Sequence, residues 1–287
     1  MAKADIAALL ALGAALFIAI GDVIHQRSAH EVTDEPVSHL ALFARLLRDP
    51  QWWAGSLVAA VGFALQAAAL GLGSILLVQS LLVTSLLFAL PINARLTRRR
   101  LTRWEWMWAA LLAGAVAVIV TVGNPTAGDS RASLKTWTIV VAVLGPALVL
   151  LVVAARVATG PARAVALAVV SGALWGLFAV LTKGVVGRGA EGLWTLLQTP
   201  ELYAWAAVGI AGTAWQQASF RAGSLTASLP TMTVTEPVVA SALGVAVLGE
   251  TMRPGDAGWL TLVIAAGLMV VSTAALARGE AATAAAA

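Results

Sequence analysis

The chain has no cysteine in its 287 residues. Disulfides, thiol chemistry and cysteine metal sites are therefore excluded. Charge is also scarce. Asp, Glu, Lys and Arg make up 11% of the residues, where a soluble domain carries about 25%. There is a single tyrosine, against eleven tryptophans. No P-loop, HExxH, GxSxG or dinucleotide-binding glycine pattern occurs. Nothing therefore points to an enzyme, a cofactor or ATP-driven work by this chain. The only histidines, His25, His30 and His39, cluster in one polar loop and read as loop residues rather than metal ligands.

What remains is apolar. The chain is 60% hydrophobic, with a mean hydropathy of +0.89. This predicts an all-α integral membrane protein whose first partner is the lipid bilayer. The pI near 10.3 does not argue for nucleic acid. The net charge is only +4, and the arginines sit at the ends of apolar runs, as the positive-inside rule requires.

Nine spans are predicted. They are Asp5–Val23, Trp52–Leu72, Ser74–Arg95, Trp104–Val122, Leu134–Val157, Ala162–Gly184, Glu201–Phe220, Ser224–Glu250 and Asp256–Leu276. Each is long enough to cross as a helix at about 1.5 Å per residue. Residues 28–50 form a polar loop ending in a short amphipathic piece, His39–Arg48. Residues 185–200 form another loop with a short apolar piece, and the Ala-rich tail is expected to be disordered. Trp52, Trp53, Trp104, Trp106, Trp137 and Trp259 mark span starts, as interfacial tryptophans do. Trp175 and Trp215 fall well inside spans six and seven, which makes them core packing or cavity lining.

The sequence repeats itself at a shift of 150 residues. Pro50 falls on Pro200, Gly62 on Gly212, Gln66 on Gln216 and Gly73-Ser74 on Gly223-Ser224. Over residues 46–74 eleven of 29 positions are identical. Corresponding spans are five crossings apart, so the halves should insert in opposite directions, as in many transporters. The predicted organisation is a first repeat, 1–123, a linking span, 124–160, a second repeat, 161–278, and a tail, 279–287. With the loop of Arg95, Arg98, Arg99, Arg100 and Arg103 inside, Lys and Arg divide 12 inside to 6 outside. The N-terminus is then outside and the C-terminus inside the cytoplasmic membrane.

The span Ser224–Glu250 holds the strongest candidate site. Glu236 lies near its middle, followed by Pro237, with Pro230 on nearly the same face. Each proline removes a helix hydrogen bond and frees a carbonyl, those of Thr226 and Thr233. A carboxylate at mid-membrane depth is costly unless it faces protein or a watery path. The facing helix of the first repeat offers Gln79, Ser80 and Thr84, and spans two and seven add Gln66 and Gln216. Asp22 is a second carboxylate near a span end, beside Arg27. Lys183 is expected to snorkel, and Glu250 to cap or to pair with Arg253. Gly172 and Gly176 form a GxxxG, the mark of close helix packing. The candidate path is therefore Glu236, Pro237, Pro230, Thr233, Thr226, Gln66, Gln79, Thr84, Gln216, Trp175, Trp215 and Asp22, with no metal site.

These residues resemble a known family. Gln216, Gln217, Phe220, Arg221 and Gly223, then Leu229-Pro230, Glu236-Pro237 and Leu248-Gly249-Glu250, are similar to the terminal part of the drug/metabolite transporter superfamily, EamA-like type. Leu16-Phe17-Ile18, Gln26-Arg27, Asp49 to Trp53, Gly62-Phe63, Gln66 and Leu77-Val78-Gln79 resemble its NIPA-like branch. The resemblance implies an inverted-repeat bundle of 4+1+4 helices that moves small solutes by alternating access. It also implies exporters of metabolites as relatives and, for the NIPA-like branch, a link to magnesium. Nine spans agree with that branch. Arg98-Arg99-Arg100 stands where the first repeat should end in Leu-Gly-Glu. The expected function is secondary transport of a small polar solute or metabolite, coupled to a proton or cation through Glu236. The alternatives are a Mg²⁺ carrier and a non-transporting accessory or lipid-handling protein.

Overall fold

In hydrocarbon there is no water to bind backbone amides and carbonyls, so an apolar chain must satisfy them within each segment. The computed structural model does so with helices. It describes residues 2–32, 50–96, 98, 100–222, 225–255 and 258–286. The helices are α1 (Ala2–Val32), α2 (Pro50–Leu72), α3 (Ile75–Leu82), α4 (Ser85–Leu96), α5 (Arg103–Gly123) and α6 (Leu134–Val157). There follow α7 (Gly160–Ala190), α8 (Leu193–Leu197), α9 (Pro200–Ala222), α10 (Leu225–Leu248) and α11 (Gly258–Ala286). Among the described residues the only strand-like pairing is an isolated bridge between Thr126 and Thr251. The amphipathic piece His39–Arg48 lies outside the described residues.

Among the described residues eight segments are long and apolar enough to cross a membrane. The chain is thus a multi-pass helical membrane protein. The predicted seventh span, α9, has the length but falls short in apolarity, because Glu201, Gln216, Gln217 and Arg221 lie within it. The third span, predicted as one helix, is broken into α3 and α4. At the break Thr84 N and Leu87 N donate to Leu81 O and Thr84 O at 3.0 and 2.9 Å, the tight spacing of a 3₁₀ turn. The Thr84 hydroxyl donates to Leu81 O at 2.5 Å. The β-branched pair Val83-Thr84 is a poor helix former, and the hydroxyl competes for the backbone. The tail also differs from its predicted disorder. α11 runs on to Ala286, through alanine, the best helix former.

α1 packs against α2, α3 and α4, and α7 packs against α9 and α10. α5 lies on α11, and α3 on α10. α6 rests on α7 and turns Val141, Val143, Val149 and Leu150 outward. The core runs from Ala7 and Ala11 of α1 through Leu70, Ile75 and Val78 to Val180, Ala240, Leu248 and Leu276.

One end of the bundle is tied by polar contacts. Lys183 does not snorkel. It is 5% exposed, and its Nζ donates to Glu250 Oε1 at 2.6 Å. Nor does Glu250 pair with Arg253. It is fully buried and accepts the first two amides of α3, Ile75 N at 2.8 Å and Leu76 N at 3.1 Å. The acid thus neutralises a lysine and caps a helix in another half of the chain. Ser74 adds its own cap, its hydroxyl accepting from Leu77 N at 3.1 Å. The connecting segments close over this end. Asp129 N donates to Leu248 O at 2.8 Å and Arg253 N to Gly123 O at 2.9 Å. Arg131 pairs with Glu201. Gly128 has to be glycine, since a Cβ there would sit 1.9 Å from Leu248 O.

Truncating one member of a buried pair strands the other charge, at a cost of about 3–5 kcal/mol. Glu250→Ala is therefore expected to lower stability by about that amount, and Lys183→Met/Glu250→Gln together by clearly less. Thermal unfolding of the purified variants in one detergent checks this. A Glu250→Ala midpoint equal to wild type would contradict it.

Candidate functional site

α10 stays helical through both Pro230 and Pro237. The missing amides leave the carbonyls of Thr226 and Thr233 without their usual helix donors. The threonine hydroxyls fold back on the helix. Thr231, Thr233 and Thr235 donate to Ala227 O, Leu229 O and Thr231 O at 2.8, 2.8 and 2.7 Å. Their lone pairs remain as acceptors, and none of these three hydroxyls donates to Glu236. The side chain of Thr226 lies outside the described ones.

Glu236 sits where α10 meets α7. The two glycines of the GxxxG let the backbones touch at this turn. A Cβ on Gly172 would lie 3.2 Å from Glu236 N, and one on Gly176 would lie 2.9 Å from Glu236 O and 2.8 Å from Ala240 N. The close packing read from the sequence is thus spent on holding the Glu236 turn. The side chain itself is half-buried. Among the described residues no hydrogen-bond donor or basic group pairs with it.

Asp22 is the other acid of the candidate path and lies on α1. Asp22 is exposed, yet it does not continue the outward stripe of Leu9, Leu12 and Leu16. Six residues beyond Leu16 it is turned by about 120°. Among the described residues it too has no ion-pair partner. Its expected neighbour, Arg27, has a side chain outside the described ones. Glu236 and Asp22 are thus two acids within apolar spans without a described counter-ion, and each acid inside a span costs about 2.5–3.5 kcal/mol.

The remaining candidates separate. Gln79, on α3, is buried, and its Nε2 has no hydrogen-bond acceptor among the described residues. Thr84 lies at the α3–α4 break, its hydroxyl engaged with Leu81 O. Gln66 and Gln216 are half-buried on α2 and α9. Trp175 joins an aromatic cluster, edge-on to Phe178 at 5.1 Å, with Phe178 stacked on Trp205 at 5.0 Å and Phe63 at 5.7 Å. Trp215 lines a cavity of about 360 Å³ between α6, α7 and α9, lined also by Arg156, Arg163 and Arg221. Glu236 is not among that cavity's lining residues. The Lys183–Glu250 link escaped the sequence reading. Its one signal was that both residues end spans on the same side of the predicted topology.

Any side chain at Gly176 must push α7 and α10 apart, and overpacking of this kind costs about 1–3 kcal/mol. Gly176→Ala is expected to lower the unfolding midpoint. Gly114→Ala, where a Cβ meets nothing within 4 Å, should leave it unchanged or higher. Equal midpoints for the two variants would rule out the close contact at Glu236.

No protein-family model matches the chain, and no solved structure matches it. A protein of Corynebacterium glutamicum, described as uncharacterized protein Cgl0250/cg0304, is 39% identical over 278 residues, covering 95% of each chain. The chain belongs to the same family as that protein.

Proposed function

We propose that this family member is a secondary transporter that moves a small polar solute bearing a positive charge across the cytoplasmic membrane by alternating access. The observation that carries the reading is Glu236, half-buried on α10 between two prolines at the contact with α7, and without a described donor or counter-ion. A charged acid at this depth is costly, and a cation or proton beside it relieves that cost. In this reading Glu236 and Asp22 receive the charged end of the solute or the coupling ion. Gln79 and the freed Thr233 carbonyl supply hydrogen bonds beside it.

Alternating access needs two halves that can rock about a shared site. Helix boundaries support the halves: Pro50–Leu72 and Pro200–Ala222 begin and end 150 residues apart, and so do Ile75 and Leu225. Neighbours support them too. α1 packs on α2 and on α3–α4, as α7 packs on α9 and α10. The pairs α5–α11 and α3–α10 join counterpart helices across the two halves. The broken third span resembles the discontinuous helices that form transporter sites near the midplane. The resemblance to the drug/metabolite transporter superfamily belongs to the same proposal, as does the N-out, C-in orientation drawn from the arginine count.

A second reading, Mg²⁺ carriage, draws on the same acids, because hard divalent ions prefer carboxylate oxygens with retained water. The test is thermal stability of the purified protein against a panel of amines, amino acids and Mg²⁺, followed by flux in proteoliposomes. Ligand that binds the folded state raises its stability. An organic cation should raise the midpoint of wild type, and the shift should fall at least about tenfold in apparent affinity in Glu236→Gln and Asp22→Asn. A response to Mg²⁺ alone would transfer the site to the second reading. Flux unchanged in both variants would end the carboxylate proposal. No flux of any solute would favour a non-transporting accessory role.

A further inference from the structure

The cavity beside Trp215 is lined by neither Glu236 nor Asp22 and carries the opposite charge. Three helices each bring arginine to it: Arg156 near the end of α6, Arg163 in the first turn of α7, and Arg221 in the last turn of α9. Among the described residues none of the three has a carboxylate partner. Beneath the guanidinium groups the lining turns apolar, with Val152, Leu167 and Ala218, and Trp215 forms one wall. The amino end of α7 reaches the same place. Its N-cap, Thr159, makes no side-chain cap, and Pro161 follows. Unpaired amides and the positive end of the helix dipole add to the three cations.

Like charges held around one pocket repel, and an anion that bridges them removes the cost. Guanidinium groups bind phosphate oxygens in pairs of parallel hydrogen bonds, and tryptophan suits the boundary between headgroup and acyl chain. Basic pockets between spans on the cytoplasmic side take anionic headgroups, and the arginine count places this end on that side. We propose that this pocket binds a phosphate-bearing anion, its phosphate held by Arg156, Arg163 and Arg221 and its apolar part lying against Trp215 and Leu167. The source that fits a floor of this kind is an anionic phospholipid of the surrounding leaflet. A soluble phosphate ester shares the head chemistry but leaves the apolar floor unused.

The experiment is lipid titration of the full-length protein in neutral detergent, read by native mass spectrometry. The probes are dioleoylphosphatidylglycerol, dioleoylphosphatidylcholine and glycerol 3-phosphate. Wild type should retain the glycerol lipid roughly tenfold more tightly than the choline lipid, and Arg163→Gln/Arg221→Gln should lose that preference. The unfolding midpoint of the variant in lipid-free detergent, equal to wild type, shows that the loss is local. Glycerol 3-phosphate displacing the lipid at low millimolar concentration would assign the pocket to soluble phosphates. Equal retention of the two lipids by wild type, or a preference that survives the double substitution, overturns the proposal. If the double variant is misfolded, Trp215→Leu replaces it and should weaken lipid retention while glycerol 3-phosphate binding is unaffected. Lipid retention unchanged in Trp215→Leu would count equally against it.

Discussion

A fully buried carboxylate needs donors on every side, and Glu250 finds three of them in two other parts of the chain. Lys183 brings the charge, and the first two amides of α3 bring a helix N-terminus. The three elements meet only because the acid needs them all, since each donor alone leaves it undercompensated. The pair also explains the loop above it. Gly128 presses its backbone onto the end of α10, and the Thr126–Thr251 bridge and the Asp129–Leu248 bond hold it there. That cover keeps water out, and exclusion of water is what makes the pairing strong.

α7 connects this tie to the rest of the molecule. It carries Lys183 near one end, Gly172 and Gly176 in the middle, and Arg163 at the other. The glycines bring α10 so close that the position of Glu236 is set by backbone contact rather than by a side-chain hydrogen bond. A carboxylate held by its own side-chain partners would already be satisfied. Here the turn is fixed, and no described donor takes the oxygens.

Composition and run length made the helices legible. Apolar segments of about 20 residues have one solution in lipid, and most span starts fall within a few residues of the helices, while α1, α7 and α11 run on six to ten residues past their expected ends. Glu236, its prolines and the GxxxG were legible for the same reason, since polar residues and glycines stand out in an Ala/Leu background. Two features were not. The break at Val83–Thr84 contains neither Gly nor Pro, so nothing local announces it. Lys183 and Glu250 lie 67 residues apart on different spans, and periodicity within a span says nothing about which spans are neighbours. Trp175 shows the same limit, since its ring contacts come from α2, α7 and α9, which no pattern within its own span reveals.

The polar links are distributed unevenly along the bundle, and this constrains how it can move. At the end holding Glu250, hydrogen bonds and ion pairs join α3, α7 and α10 and tie the segments after α5 and α10 to each other. At the other end, among the described residues, α6, α7 and α9 present three unpaired arginines around an open cavity. Glu236 lies between these ends. Opening at the tied end means separating Lys183 from Glu250 and uncapping α3 together, because all three contacts share one carboxylate. Opening at the arginine end breaks no described ion pair. The bundle therefore has one end that is costly to open and one that is cheap. Glu236 and the costly end are joined by one helix, α10, which carries two prolines.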